Sequence, residues 1–163
     1  YNLLVRLRNA CDESWSGIDT ELKRRYDLVP NLVATIRGYA AHEQETLERV
    51  TAARARAVAS TGSPASQARD ENGLVTALRG LGAVVEQYPD LKANAGFLAL
   101  QEELTVTEDR IQRARRFYNA NVRDLNVRIE AFPSNIVAGL FGFRPREFFE
   151  IEDASMRRPP AAE

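Results

Sequence analysis

The chain has 163 residues, of which 44% are hydrophobic and 28% charged, so it is long enough for one domain with a sizeable core and too apolar to stay disordered. Lysine plus arginine (22) nearly balance aspartate plus glutamate (23), which argues against a nucleic-acid partner. One cysteine, Cys11, and one histidine, His42, exclude an intramolecular disulfide, a multi-cysteine metal site and a zinc motif with paired histidines.

Apolar residues recur at helical spacing almost throughout the chain, and start and stop signals divide it into four long helices. The first helix has a single apolar face formed by Leu4, Cys11, Trp15, Ile18 and Leu22. No run of about 18 apolar residues occurs, so the chain as given is expected to be soluble.

Two interpretations remain open around Pro30. In the first, Asp27 caps a second helix that runs to about residue 60. In the second, one kinked helix continues through the proline, because Leu22, Val29 and Ile36 keep a seven-residue phase across it. The break is favoured, because antiparallel packing of shorter helices gives a more compact domain.

The rest of the chain contains two further long helices and a short one. Residues 60–66 are rich in loop formers and predict an exposed connection. The third helix ends at Pro89, and Asp90 is predicted to cap the fourth. Ser134 is predicted to cap the short fifth helix. The apolar positions are Leu74, Leu78, Leu81 and Val85 in the third helix and Leu104, Ile111, Tyr118, Leu125 and Phe132 in the fourth.

These patterns predict an all-α fold, an antiparallel up-and-down four-helix bundle with a short C-terminal helix. The predicted domain covers residues 1–150. Residues 151–163 are predicted to form a flexible tail.

Two stretches resemble the bacterial LemA family. They are residues 1–57, YNLLVRLRNACDESWSGIDTELKRRYDLVPNLVATIRGYAAHEQETLERVTAARARA, and residues 114–149, ARRFYNANVRDLNVRIEAFPSNIVAGLFGFRPREFF, joined by a middle that contains YPDLKAN. The resemblance implies a four-helix bundle with a break at Pro30. It also implies one membrane-spanning helix before Tyr1, and a place at the bacterial cell membrane with the bulk on the cytoplasmic side. The family has no established molecular function, so the resemblance supplies no catalytic residues and no cofactor.

The one triple basic run is a candidate contact for an anionic lipid or an acidic partner; it consists of Lys23, Arg24 and Arg25. Acidic neighbours make pairing within the molecule the favoured interpretation. Tyr118, Asn119, Asn121 and Asn126 are a candidate polar core network, for which a hydrogen-bonded network that fixes helix register is favoured over a ligand pocket.

Aromatic residues concentrate near the C-terminus. Phe141, Phe143, Phe148 and Phe149 either close one end of the bundle or expose a docking surface for a partner. Closure is favoured, because exposed rings would forfeit roughly 1.5–3 kcal/mol each.

The resulting expectation is a non-enzymatic domain for protein interaction or scaffolding, tethered at the bacterial membrane. Its partner would be an unidentified membrane or envelope protein. The oligomeric state stays open, a homo-oligomer included. The alternative is a small-ligand receptor or enzyme that uses a polar site inside the bundle.

Overall fold

The computed structural model describes residues 1–156, which form six helices and no strand. The helices are α1 (Asn2–Arg37), α2 (Gln44–Ala59), α3 (Pro64–Val85), α4 (Pro89–Lys92), α5 (Ala95–Glu130) and α6 (Ser134–Leu140). The predicted all-α class is confirmed. None of the helices in this part of the chain combines the length and apolarity needed to span a membrane.

The four long helices alternate in direction. Helices α1 and α5 have 36 residues each and run antiparallel, because Arg25 meets Glu108 in the middle while Tyr39 near the end of α1 meets Asn94 at the start of α5. Helix α2 returns beside α1. Helix α3 returns beside α2, so the order is up, down, up, down, with the core along the shared axis.

The favoured break at Pro30 is wrong, since α1 passes through the proline and ends only at Arg37. Asp27 therefore lies inside a helix and caps nothing. Pro30 has no N–H to give to the carbonyl of Tyr26 four residues earlier, and the Arg54 side chain of α2 donates to that carbonyl instead, at 2.7 Å. A neighbouring helix thus supplies the hydrogen bond that the proline removes.

The predicted caps after Pro89 also need correction. Asp90 lies within the one-turn helix α4, and the cap of α5 is Asn94, whose side chain accepts from the N–H of Phe97 at 2.9 Å. Helix α6 does begin at Ser134, but the Ser134 hydroxyl donates back to the carbonyls of Arg128 and Ala131 rather than capping. Asparagine and aspartate are equally good caps, so the sequence alone could not decide between positions 90 and 94.

Residues 143–156 have no regular secondary structure and lie along the bundle; we call this segment the strap. It includes residues 151–156, which belong to the predicted tail, yet Ile151 and Ala154 are buried against the helices. The remainder of that predicted tail, residues 157–163, lies outside the described residues. The strap runs along α5. Its first part also lies beside α1, where Arg146 pairs with Asp12, and its later part lies beside α3, where Asn72 binds Glu150 and Glu152.

Candidate functional site

A cluster of charged side chains lies in the middle of the bundle, where α1, α3 and α5 meet. Arg25 is fully buried and donates to Glu71 at 2.5 Å and to Glu108 at 3.1 Å. The hydroxyl of Tyr26 donates to the second oxygen of Glu71. Glu108 also accepts the backbone N–H of Ala154 in the strap, at 3.0 Å. We call Arg25, Tyr26, Glu71 and Glu108 the charge cluster.

The charge cluster shifts the pKa of its members. Burial raises the pKa of Glu108 above its ordinary value, although Arg25 and the Ala154 N–H both act to lower it. Burial alone would lower the pKa of Arg25, but the carboxylates of Glu108 and Glu71 outweigh it and raise that pKa. Burial next to Glu71 raises the pKa of Tyr26. The cluster therefore holds its arginine charged and its tyrosine as a hydrogen-bond donor.

The raised pKa of Glu108 gives a prediction for stability against pH. A carboxyl group whose folded pKa exceeds its unfolded value of about 4.3 contributes stability that is fully present below that value and is lost as pH rises toward the folded pKa. In chemical denaturation between pH 4 and 8, the wild-type free energy of unfolding should fall with rising pH relative to that of E108Q. The exposed control E103Q should follow the wild type. Parallel curves for wild type and E108Q would contradict the assignment.

Two residues of the candidate polar network, Asn119 and Asn126, hydrogen-bond the strap. Asn119 and Asn126 of α5 each bind both backbone groups of one strap residue: Asn119 those of Phe149, at 3.0 and 2.9 Å, and Asn126 those of Arg146, at 2.9 and 2.8 Å. The two side-chain amides thus satisfy backbone N–H and C=O groups of the strap, as the backbone of a neighbouring β-strand would.

Two further members of the predicted set, Tyr118 and Asn121, bind different elements. The Tyr118 hydroxyl donates to the carbonyl of Glu147 in the strap, at 3.0 Å. Asn121 instead faces α1 and donates to Ser14 at 3.2 Å. These amides and the hydroxyl have partners within the chain, and they do not converge on a shared cavity.

Sequence reasoning missed Asn72, whose side chain in α3 binds the strap at Glu150 and Glu152 in the same two-sided way. It also missed the charge cluster as a unit. The available signal was helical phase, because Glu71 lies one turn before the buried Leu74 and Glu108 lies between the buried Leu104 and Ile111.

The four candidate phenylalanines divide between core and surface. Phe149 is fully buried, with its ring 5.1 Å from Trp15, so the prediction of a partner contact at Phe149 is corrected. Phe143 is half-buried beneath Arg8. Phe141 and Phe148 are 60% and 42% exposed. Closure of the bundle and exposure of an aromatic surface therefore both occur, at different residues.

The basic run Lys23, Arg24 and Arg25 does not form one surface. Arg25 is buried in the charge cluster, so its predicted contact with a lipid or partner is corrected. Lys23 pairs with Asp19 at 3.0 Å. Arg24 approaches Glu21 and lies in a groove between α1 and α5 that also contains Glu102 and Glu103. The mixed charge of that groove disfavours a purely anionic ligand.

A different basic surface lies on the outer side of α5. Residues 110–123 contain five arginines and no acidic residue. Arg115 pairs with Glu150 of the strap at 2.8 Å. Arg113, Arg116 and Arg123 are exposed and make no ion pair within the described residues. Phe117, 63% exposed, lies among them. We call Arg113, Arg116, Phe117, Arg123 and the neighbouring Phe148 of the strap the arginine face.

The arginine face borders a shallow pocket of about 530 Å³ between α5 and the strap. Phe148 lies at one side of the pocket, and Arg116 and Arg123 lie on the α5 side. Across residues 1–156 no group of His, Cys, Asp and Glu side chains has the arrangement of a metal site. Burial raises the pKa of the Cys11 thiol, which disfavours the reactive thiolate.

Comparison with known proteins gives the family. The sequence profile of the LemA family matches residues 14–163. The chain is similar to Protein LemA of Metamycoplasma hominis, with 30% identity over 84% of this chain and 63% of that protein. It is also similar to Magnetosome protein MamQ 2 of Paramagnetospirillum magneticum, with 27% identity over 94% of this chain, and to Magnetosome protein MamQ of Magnetospirillum gryphiswaldense, with 26% identity over the same share. The chain spans 66% of the length of each of these MamQ proteins. The chain belongs to the LemA family.

Proposed function

We propose that this chain is a non-enzymatic binding domain that recognises an acidic segment of another protein through the arginine face. The observation that carries the proposal is the run of five arginines without an acidic residue at 110–123. Arg113, Arg116 and Arg123 of this run form the arginine face and make no ion pair in the described part of the chain, whereas Arg110 lies in the groove with Glu102 and Glu103. Glu150 lines the same pocket but pairs with Arg115, so the arginine face keeps an excess of positive charge. Such an excess attracts carboxylates and raises the rate of encounter with them.

The chemistry of the arginine face resembles that of binding hot spots. Arginine and aromatic residues are enriched among the interface residues that contribute most of the binding energy. Each guanidinium can bind a carboxylate through two parallel hydrogen bonds. Phe117 and Phe148 add apolar surface whose burial would stabilise a complex. Arg116 and Arg123 lie two helical turns apart on α5, so they could contact acidic residues one or two turns apart on a partner helix.

The proposal includes a place for the domain at the bacterial cell membrane. The family resemblance implies a spanning helix ahead of the domain. About a third of the length of these MamQ relatives lies outside the region that this chain matches, and an anchor would belong to such additional length. The partner would then be another membrane or envelope protein, and the rigid bundle would act as a scaffold at the membrane surface.

The competing function is a small-ligand receptor or enzyme that works from the bundle interior. It would need amide groups of α5 free to bind a ligand. The amides of Asn119 and Asn126 are instead held on both sides by the strap backbone. Their occupation supports the binding domain over the receptor.

Site-specific photo-crosslinking in the native membrane tests the proposal. A photoreactive residue is placed at Phe117 in the full-length protein, and the matched control places it at Val58 of α2, which is 51% exposed. We expect a defined product from position 117 that position 58 does not give. We also expect R116E/R123E to abolish this product and K23E/R24E to leave it.

Affinity for the captured protein completes the test. R116E/R123E should weaken the purified complex at least about tenfold, because like charges would then face each other. Identical products from both positions, or a product that survives R116E/R123E, would exclude the arginine face as the binding site.

A further inference from the structure

One end of the bundle exposes an unusual amount of apolar surface. Five large side chains there are more than half exposed: Tyr1 58%, Phe132 79%, Ile136 55%, Leu140 77% and Phe141 60%. The start of α1 and the end of α6 meet at this end, since the Tyr1 and Phe141 rings are 4.6 Å apart. We call these five residues the apolar end.

Most of the larger apolar side chains in α6 and just before it point outward, whereas Val137 of α6 packs against the core. Phe132, Ile136 and Leu140 are spaced by four residues and are all exposed, while Ala138 of the same helix is buried. If the outer face of α6 contacted only water, its larger apolar side chains would be expected to face the core and its polar side chains the solvent. A cluster of exposed apolar residues of this kind marks an interaction surface.

Positive charge surrounds the apolar end. Residues 1–8 and 128–144 contain four arginines, Arg6, Arg8, Arg128 and Arg144, and one acidic residue, Glu130. Their net charge is +3, although the whole chain carries −1. All four arginines are exposed and have no carboxylate partner within the described residues, and Arg8 lies 5.0 Å above the Phe143 ring.

We propose that the apolar end docks onto the surface of an anionic lipid bilayer. The aromatic and aliphatic side chains would enter the headgroup region, and the four arginines would bind lipid phosphates. This inference deepens the membrane placement in the proposed function and rests on it. It concerns a surface separate from the arginine face, so an experiment can reject membrane docking by the apolar end and leave partner binding at the arginine face intact, or the reverse.

The charge pattern favours a bilayer over a second copy of the chain. A symmetric dimer through the apolar end would bring two identical surfaces together. Each carries a net charge of +3, so the two surfaces would repel each other. An anionic bilayer instead offers an apolar interior for the exposed apolar side chains and negatively charged phosphates for the arginines around them.

Co-sedimentation with vesicles tests the proposal on the chain as given. The vesicles contain phosphatidylcholine alone or phosphatidylcholine with 30–40% phosphatidylglycerol, and binding is measured at about 0.05 and 0.5 M salt. We expect binding to the anionic vesicles, a several-fold loss at the higher salt, and little binding to neutral vesicles. L140S/F141S should weaken the binding about tenfold or more, because two apolar side chains no longer enter the bilayer.

Matched controls locate the surface. V58S/L98S changes two exposed apolar residues outside both the apolar end and the arginine face, at 51% and 46% exposure, and should bind like the wild type. R128Q/R144Q should lower the affinity several-fold, while K23Q/R24Q removes the same charge with a smaller effect. Far-UV circular dichroism confirms that each variant is folded.

Three results would overturn the proposal. The first is the absence of binding to anionic vesicles. The second is an equal loss in the apolar variant and its control. The third is association between copies through Leu140 and Phe141, seen by sedimentation equilibrium without vesicle binding. A lost crosslink at Phe117 with vesicle binding retained would reject the arginine face alone.

Discussion

Replacing Arg25 with methionine should lower the free energy of unfolding by about 3–5 kcal/mol. Methionine nearly fills the space but leaves Glu71 and Glu108 buried without their shared cation. A carboxylate in that position must stay charged at high cost or take up a proton. The loss is a large fraction of the ~5–15 kcal/mol that stabilises a typical domain. Urea denaturation followed by circular dichroism at pH 7 measures it.

Two controls separate charge pairing from a general effect of substitution in α1. R24M removes an exposed arginine of the same helix and should change stability by less than about 0.5 kcal/mol. R25K keeps the charge but cannot bind two carboxylates with a planar fork, so it should fall between wild type and R25M.

The triple variant R25M/E71L/E108L removes the whole ion cluster and should recover most of the lost stability. Such recovery would assign the cost of R25M to the two unpaired carboxylates. Wild-type stability in R25M would instead show that the buried ion pairs do not hold the three helices together.

The long helices could be predicted because their apolar residues repeat with the helical period. That period also predicted the continuous helix at Pro30. Leu22, Val29 and Ile36 keep one helical phase across the proline, and all three lie in the core. The general rule that proline breaks a helix interior was overridden by a tertiary contact, the Arg54 hydrogen bond to the Tyr26 carbonyl. That contact comes from a residue 28 positions away and cannot be seen in a local pattern.

The candidate surfaces were predictable only in part. Charge counting along the chain found the basic run at 23–25, but not which of its residues face water. Arg25 follows the buried Leu22 by three residues and precedes the buried Val29 by four, so its phase indicates the core. The strap has no period at all, and its place follows from amides on α3 and α5 that bind its backbone.

F149A should destabilise the protein by about 3–5 kcal/mol, because it leaves a cavity where a fully buried ring packs against Trp15. F148A, at the exposed neighbouring position, should cost less than about 1 kcal/mol. Trp15 is the single tryptophan of the chain, so its fluorescence reports directly on the site while urea unfolding measures the stability.

A red shift of Trp15 emission in native F149A, without loss of helix by circular dichroism, would mean that the strap detaches while the bundle stays folded. Wild-type stability and emission in F149A would contradict a structural role for the strap. The two phenylalanines are adjacent, so the fixed position of Phe149 also places Phe148 beside Arg116 and Arg123. Binding at the arginine face should therefore weaken in both variants. F149A misplaces Phe148 and also destabilises the protein, whereas F148A removes the ring itself and retains the stability.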